Sequence, residues 1–182
     1  MAVKTKAELE KLTNEELIKY MDSLPYSTFS TMGQADAKVK YFIAKFGKMF
    51  AKEAKGSGLF LTALIPQSMY ESFYGRSPIF SGGNNFGGVI YNKNIHKNFH
   101  TSATGKKWAK WNSYEEGVKG YVDNLKSKRY EKARLEAKSP EQQILMFHEA
   151  GYDPASDKNV YLNDVRGNIK RVRNILGFGR ID

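Results

Sequence analysis

The apolar positions of this chain fall into helix-period runs, separated by one long stretch that has no such period. The longest run covers 35–54. Val39, Phe42, Ile43, Phe46, Met49 and Phe50 recur three and four residues apart, the spacing that lines up side chains on one face of an α-helix. Gly56 and Gly58 follow and end it. A more apolar run from Leu59 to Phe73 predicts a second helix, closed by Gly75. Pro66 lies inside this run, and the hydrogen bond it cannot donate to the Thr62 carbonyl predicts a kink.

Capping signals place the remaining helices. Thr13-Asn14-Glu15-Glu16 is a capping-box pattern, and Leu12, Leu17, Ile18 and Met21 give the short helix behind it an apolar face. Pro25 ends that helix, and residues 25–33, PYSTFSTMG, read as a linker or turn. Ser113-Tyr114-Glu115-Glu116 opens a helix to about Ser127. Ser139-Pro140 sets proline at the first helical position behind a serine cap, and that helix runs to near Gly151. A last helix is expected from about Val160 to Leu176, stopped by Gly177. Between 75 and 112 the chain is rich in Gly, Asn, Lys and aromatics. There Val89-Ile90-Tyr91 and Trp108–Trp111 read as short strands of a small sheet or irregular lobe. No internal repeat is visible. The expected organisation is an N-terminal helical extension and linker over 1–33, followed by one domain over 34–182.

Composition narrows the chemistry. With 29 basic and 19 acidic residues the formal charge is +10, which suits a polyanionic partner: nucleic acid, anionic membrane or bacterial wall polymer. The chain has no cysteine, which excludes disulfides, thiol catalysis and thiolate metal sites. His96 and His100 have a helical metal spacing but sit in a segment that does not read as helix, and His148 is remote. No metal and no cofactor are therefore expected. No apolar stretch is long enough to span a bilayer, and the charged N-terminus lacks a signal-peptide core. The expectation is a monomer made in the cytoplasm, with no membrane span.

The informative segment is Gln67-Ser68-Met69-Tyr70-Glu71-Ser72-Phe73-Tyr74-Gly75-Arg76-Ser77, followed by Gly82-Gly83-Asn84-Asn85-Phe86-Gly87-Gly88. Glu71 stands at the end of an apolar helix among Tyr70, Phe73 and Tyr74. Desolvation there raises a carboxyl pKa, and a general acid that must protonate a glycosidic oxygen at neutral pH needs that shift. A carboxylate that merely solvates a helix end is the competing reading of the same local pattern.

Glu-Ser-x-x-Gly-x-Ser at a helix end, then Asn-Asn and Phe-Gly-Gly about ten residues on, resembles the bacterial endo-β-N-acetylglucosaminidase family. These are flagellar-hydrolase-like and autolysin-like enzymes of the lysozyme superfamily. The likeness extends over roughly 38–176. It takes in the run from Phe42 to Phe60, Gln67 four residues before the acid, Trp111–Glu116 through Tyr130, and Ala150-Gly151-Tyr152-Asp153-Pro154 through Tyr161. The resemblance implies a mainly α (α+β) lysozyme-like fold, with a helical lobe and a small irregular or β-hairpin lobe flanking a cleft. Glu71 matches the catalytic acid. Asn85 and Phe86 match a motif that shapes the cleft floor, and Tyr152 a tyrosine beside the reacting sugar. Asn84, Asn85, Phe86, Tyr74 and Tyr130 are the candidate substrate-binding residues. Four of these residues have a structural alternative: Asn84 and Asn85 as turn residues, Tyr152 and, more strongly, Tyr130 as packing aromatics.

One departure changes the expected chemistry. Family members commonly carry a second glutamate in the hairpin, yet residues 72–114 contain no Asp or Glu. Three routes remain open: assistance by the substrate's acetamido group, Asp153 as the second catalytic group, or lytic transglycosylation, which needs no activated water. Glu116 is better explained as a capping residue. The expected function is cleavage of peptidoglycan glycan strands at the N-acetylglucosaminyl bond by a phage-type lysin, acting after release from the cytoplasm or from within a virion. Its partners are those strands and the anionic wall surface. A muramidase or lytic transglycosylase is the nearest alternative. A catalytically dead wall binder is another, and a basic nucleic-acid module using Tyr91, Phe99, Trp108 and Trp111 is the distant one.

Overall fold

The computed structural model describes residues 3–153 and 158–176. Its helices are α1 (Lys6–Glu10), α2 (Asn14–Ser23), α3 (Tyr26–Thr31), α4 (Ala35–Ala54), α5 (Leu61–Glu71), α6 (Pro78–Gly83), α7 (Tyr114–Lys126), α8 (Glu131–Glu136), α9 (Pro140–Glu149) and α10 (Lys158–Leu176). A 3₁₀ turn at Lys128–Tyr130 joins α7 to α8. Two strands, β1 (Asn98–Thr101) and β2 (Lys107–Lys110), pair antiparallel with Asn98 opposite Lys110. The fold is mainly helical with one small hairpin, as the sequence predicts.

The core is built on aromatic rings. Phe42, Phe46 and Phe50 stack along the buried face of α4 and meet Phe86, which lies 5.0 Å from Phe46 and 5.4 Å from Phe50, ring centre to ring centre. Edge-to-face pairs of this kind add to the stabilisation from burial alone. α5 is enclosed by this layer on one side and by α10 and α9 on the others, which is why its sequence is apolar almost all round. Pro66 lies within α5, and the helix continues through it to Glu71.

The capping signals are realised. The side chains of Thr13, Ser113 and Ser139 each accept a hydrogen bond from the backbone amide three residues on. Glu116 does serve as a cap, though it accepts from the Asn112 amide at 3.0 Å.

Four expectations need correction. Residues 25–33 are not a linker, because Tyr26–Thr31 forms α3. The hydroxyls of Ser30 and Thr31 donate back to the Ser27 carbonyl, and Phe29 is fully buried between Tyr41 and Phe73. Tertiary packing therefore fixes a helix that propensity does not announce. The 75–112 stretch contains α6, capped by Ser77 with Pro78 at its first turn. In the hairpin, Val89–Tyr91 joins only at the edge: the Ala109 amide donates to the Val89 carbonyl and the Tyr91 amide to the Lys107 carbonyl. The regular pair is 98–101 with 107–110. Finally, α5 stops at Glu71 rather than Phe73. The expected stop at Gly177 lies outside the described residues.

The N-terminal extension has its own small core, in which Leu9, Leu17, Met21, Leu24, Phe29 and Met32 close on Tyr41 of α4. Arg76 pins it to the body. Its guanidinium donates to the Met21 carbonyl and, at 2.6 Å, to that of Leu24, and it lies 4.9 Å over the Phe29 ring. Charged hydrogen bonds of this sort are worth roughly 1.5–3 kcal/mol. Arg76→Ala is expected to lower the melting temperature and to speed protease cleavage within the extension. Unchanged cleavage there would show that the apolar contacts alone hold it.

Candidate active site

A cleft of about 710 Å³ runs between the hairpin lobe and the helical lobe. Glu71 and the Gly87–Ile90 segment line it with Trp108, Tyr130, Tyr152 and Asp153. Its walls therefore come from both lobes and from the turn that follows α9.

Glu71 is placed by an abrupt helix end. Phe73 and Tyr74 have φ of 47° and 56°, followed by Gly75 at 72°. Left-handed backbone is costly for aromatic residues. Here it is held by the Tyr74 amide donating to the Met69 carbonyl at 2.8 Å and by the Gly75 amide donating to Ser72 Oγ at 2.9 Å. The turn leaves Glu71 as the last helical residue. Its Oε1 is buried, with no hydrogen-bond partner among the described residues. Burial is the main cause that pushes the carboxyl up to about 8, and the nearby Asp153 charge adds to it, while the Tyr161 hydroxyl opposes it. The negative end of the α5 dipole acts in the same direction as burial. At neutral pH the group therefore carries a proton it can give.

The floor beneath it is a backbone cradle. Asn85 is 1% exposed, and its amide ties four backbone groups. Nδ2 donates to the Val89 and Ala109 carbonyls, both at 2.9 Å, and Oδ1 accepts from the Val89 amide at 2.9 Å and the Gly87 amide at 3.4 Å. Gly88, at φ 59°, passes so close to the acid that a methyl group there would lie 3.2 Å from Glu71 Oε2. The Tyr152 hydroxyl donates to the Gly87 carbonyl at 2.6 Å. The segment that faces the acid is thereby fixed from below and from the side.

The candidate residues do not all converge. Glu71, Tyr152, Asp153 and Tyr130 line the same cleft. Asn85 and Phe86 do not present themselves to it as ligands: Asn85 spends its amide on backbone, and Phe86 is wholly buried among Phe46, Phe50 and Phe80. Both shape the floor from underneath. Asn84, in left-handed backbone at φ 51°, caps α6 and donates to the Trp111 carbonyl at 2.9 Å. Tyr74 lies on a separate hollow with Tyr70, Asp164, Asn168 and Arg171, where its hydroxyl donates to Asn168 Oδ1 at 3.3 Å. That hollow meets the cleft at Glu71. Tyr130 is 4% exposed and packs on Phe147 and Tyr152, so packing accounts for most of it.

Other lining residues were not singled out from the sequence as site residues. Trp108 and Trp111 stand in the cleft wall, with Lys106 4.2 Å over the Trp108 ring. Of the four aromatics named for the nucleic-acid alternative, Trp108 and Trp111 line the cleft that holds Glu71. Phe99 and Tyr91 pack on each other at 5.0 Å. Arg129 holds the turn that carries Tyr152, donating to the Ala150 and Gly151 carbonyls at 2.6 and 2.8 Å. His96 accepts from the Asn92 amide, and its pKa is lowered by burial. His100 belongs to β1. Among the described residues no group of three or more His, Asp or Glu side chains could hold a metal.

A helical lobe and a hairpin lobe enclosing a cleft, with a desolvated carboxyl at a helix end, define a lysozyme-like glycoside hydrolase. The chain belongs to the glucosaminidase family, described as mannosyl-glycoprotein endo-beta-N-acetylglucosaminidase, whose model matches residues 47–174. It is a glycoside hydrolase of that family. Three solved structures share the fold. The glycoside hydrolase domain of Salmonella typhimurium FlgJ is 22% identical, with a TM-score of 0.56, over 75% of this chain and 89% of that one. The catalytic domain of the Listeria monocytogenes autolysin Auto is 18% identical, with a TM-score of 0.55, over 93% and 96%. A type VI secretion effector–immunity complex from Pseudomonas protegens contains a chain 17% identical, with a TM-score of 0.55, over 75% and 96%. No curated protein matches the sequence.

Proposed function

We propose that the chain cleaves the glycan strands of peptidoglycan at the N-acetylglucosaminyl bond, with Glu71 as the general acid. The observation that carries this reading is the enclosed carboxyl on the cleft, held protonated near neutral pH by its surroundings. Asp153 is the proposed second group. It lies on the same cleft and its charge acts on Glu71, so it is placed to steer a water or to stabilise an oxocarbenium-like centre. Tyr152 acts by holding the Gly87 carbonyl, and so the floor under the reacting sugar. Trp108 and Trp111 line the same cleft, where in this reading they contact the sugar rings.

A lytic transglycosylase or muramidase is the second reading. The transglycosylase is favoured by one observation: neither strand of the hairpin carries a carboxylate, and that reaction needs no activated water. We further propose that the protein works as a lysin. The net charge of +10 draws it to anionic wall polymers, and among the described residues no helix is long and apolar enough to cross a membrane.

Purified cell walls test the reading. The wild-type chain is expected to clear them, and kcat/KM should fall about tenfold per unit above pH 8, where the acid loses its proton. Retention on walls without clearing would mark a binding domain. Activity still rising through pH 9 would show that no protonated Glu71 is required.

A further inference from the structure

Three fully buried polar side chains form a chain behind the acid that packing alone does not require. Gln67, Tyr121 and Tyr161 are each 0% exposed. The Tyr121 hydroxyl donates to Gln67 Oε1 at 2.7 Å, and Gln67 Nε2 donates to the Tyr161 hydroxyl oxygen at 2.8 Å. They come from three elements: α7, α5 and α10. Gln67 and Glu71 are four residues apart on α5 and so share one face of it. The Tyr161 ring also packs edge-on against Tyr70 at 5.3 Å. Gln67, the partner of the Tyr161 hydroxyl, lies one helical turn before Glu71 on the same face of α5, and that hydroxyl acts on the Glu71 carboxyl.

Proton accounting gives the chain a direction. A phenol has one proton to donate. Tyr121 spends its proton on Gln67, which fixes Oε1 as the occupied acceptor and turns Nε2 toward Tyr161. The Tyr161 oxygen accepts the hydrogen bond from Gln67 Nε2, and its own proton is left to donate. The opposite amide orientation would aim Tyr161's proton at Gln67 and leave Glu71 without a donor. Hydrogen bonds in such a buried series polarise one another.

Resting on Glu71 as the acid, we propose that Gln67, locked by Tyr121, is a positioning residue that fixes the Tyr161 hydroxyl as a donor to the Glu71 carboxylate formed when the acid has given up its proton. The contact tightens as the charge appears. It stabilises the product of proton transfer and leaves the neutral acid nearly untouched. The favourable effect of Tyr161 on the charged form of Glu71 agrees with this direction. The other titratable groups that face Glu71 are Tyr70 on its own helix, Tyr121 on α7, and Tyr152 and Asp153 on the turn after α9.

The test reads Glu71 directly, by titrating the ¹³C-carboxyl resonance of labelled glutamate, assigned by its loss in Glu71→Gln. Wild type is expected to titrate at about 8. Tyr161→Phe should raise that value by about one unit, the worth of one hydrogen bond to a charged group. Tyr121→Phe and Gln67→Met should raise it too, by less. The Tyr121→Phe/Tyr161→Phe double variant should go no further than Tyr161→Phe alone, because Tyr121 acts only through Tyr161. Tyr121→Phe removes a single oxygen and decides the matter if Gln67→Met does not fold. A Glu71 value unmoved by Tyr121→Phe, or shifts that simply add in the double variant, would overturn the proposal. A wild-type value near 4.5 would instead overturn the assignment of Glu71 as the acid.

Discussion

Glu71→Gln is expected to abolish turnover and at the same time to make the protein more stable. The loss follows from the missing proton donor, and general acid catalysis is typically worth ~10²–10⁴-fold. The gain follows from linkage. The native carboxyl holds its proton up to about pH 8, whereas the ordinary glutamate of an unfolded chain releases it near 4.5. Between those values the native state binds more protons than the unfolded state, so stability falls as pH rises. The penalty is absent below about pH 4 and complete above about pH 8, where it is on the order of a few kcal/mol. Glutamine keeps the shape and never ionises. The melting temperatures of the two proteins should coincide near pH 4 and separate steadily toward pH 8, with the variant higher. A variant that melts lower at every pH would mean that Glu71 holds the fold together, and its inactivity would then say nothing about catalysis.

Gly87→Ala is expected to cost both stability and activity. A methyl group at this position would lie 2.1 and 2.4 Å from two ring carbons of Tyr121. That ring cannot yield easily. It is fully buried, packs on Phe50 at 6.2 Å, and its hydroxyl is committed to Gln67 at 2.7 Å. Overpacking of this kind costs typically ~1–3 kcal/mol, and each kcal/mol lowers the melting temperature of a chain this size by roughly 2–4 °C. The Gly87 carbonyl is the acceptor for Tyr152, and Gly88 lies against the acid. Whatever gives way therefore shifts the cleft floor relative to Glu71. Turnover should fall further than the fraction of folded protein does, measured well below the melting temperature. A variant that melts lower but turns over normally once folded would show that the floor's position is not critical.

Much of the helical frame was legible because its signals are local. Thr13, Ser113 and Ser139 cap through their own neighbours, and the stripe from Val39 to Phe50 is a property of one helix. The start of α6 was equally local, since Ser77-Pro78 repeats the Ser139-Pro140 signal. It was hidden by the glycine-rich composition around it. α3 is another matter. Its six residues, YSTFST, are weak helix formers, and only the burial of Phe29 against Tyr41 and Phe73 makes them helical.

The site divides in the same way. The place of Glu71, at a helix end on the cleft, was legible from the apolar run before it. The role of Asn85 was not, because a side chain that ties Val89 and Ala109 is defined by partners up to 24 residues away. Nor was the link from Gln67 to Tyr161, separated by 94 residues. A weaker sequence signal does exist for it. A glutamine in a helix apolar almost all round needs a buried partner, and Gln67 lies one turn before the acid.

The proposed reaction is cleavage of the N-acetylglucosaminyl bond in peptidoglycan, driven by Glu71. Mass spectrometry of the fragments released from purified sacculi, after borohydride reduction, tests it most directly. Fragments that end in reduced N-acetylglucosamine are expected from the wild-type chain, and none from Glu71→Gln. Fragments ending in N-acetylmuramic acid or its anhydro form, or the same products from both proteins, would contradict it.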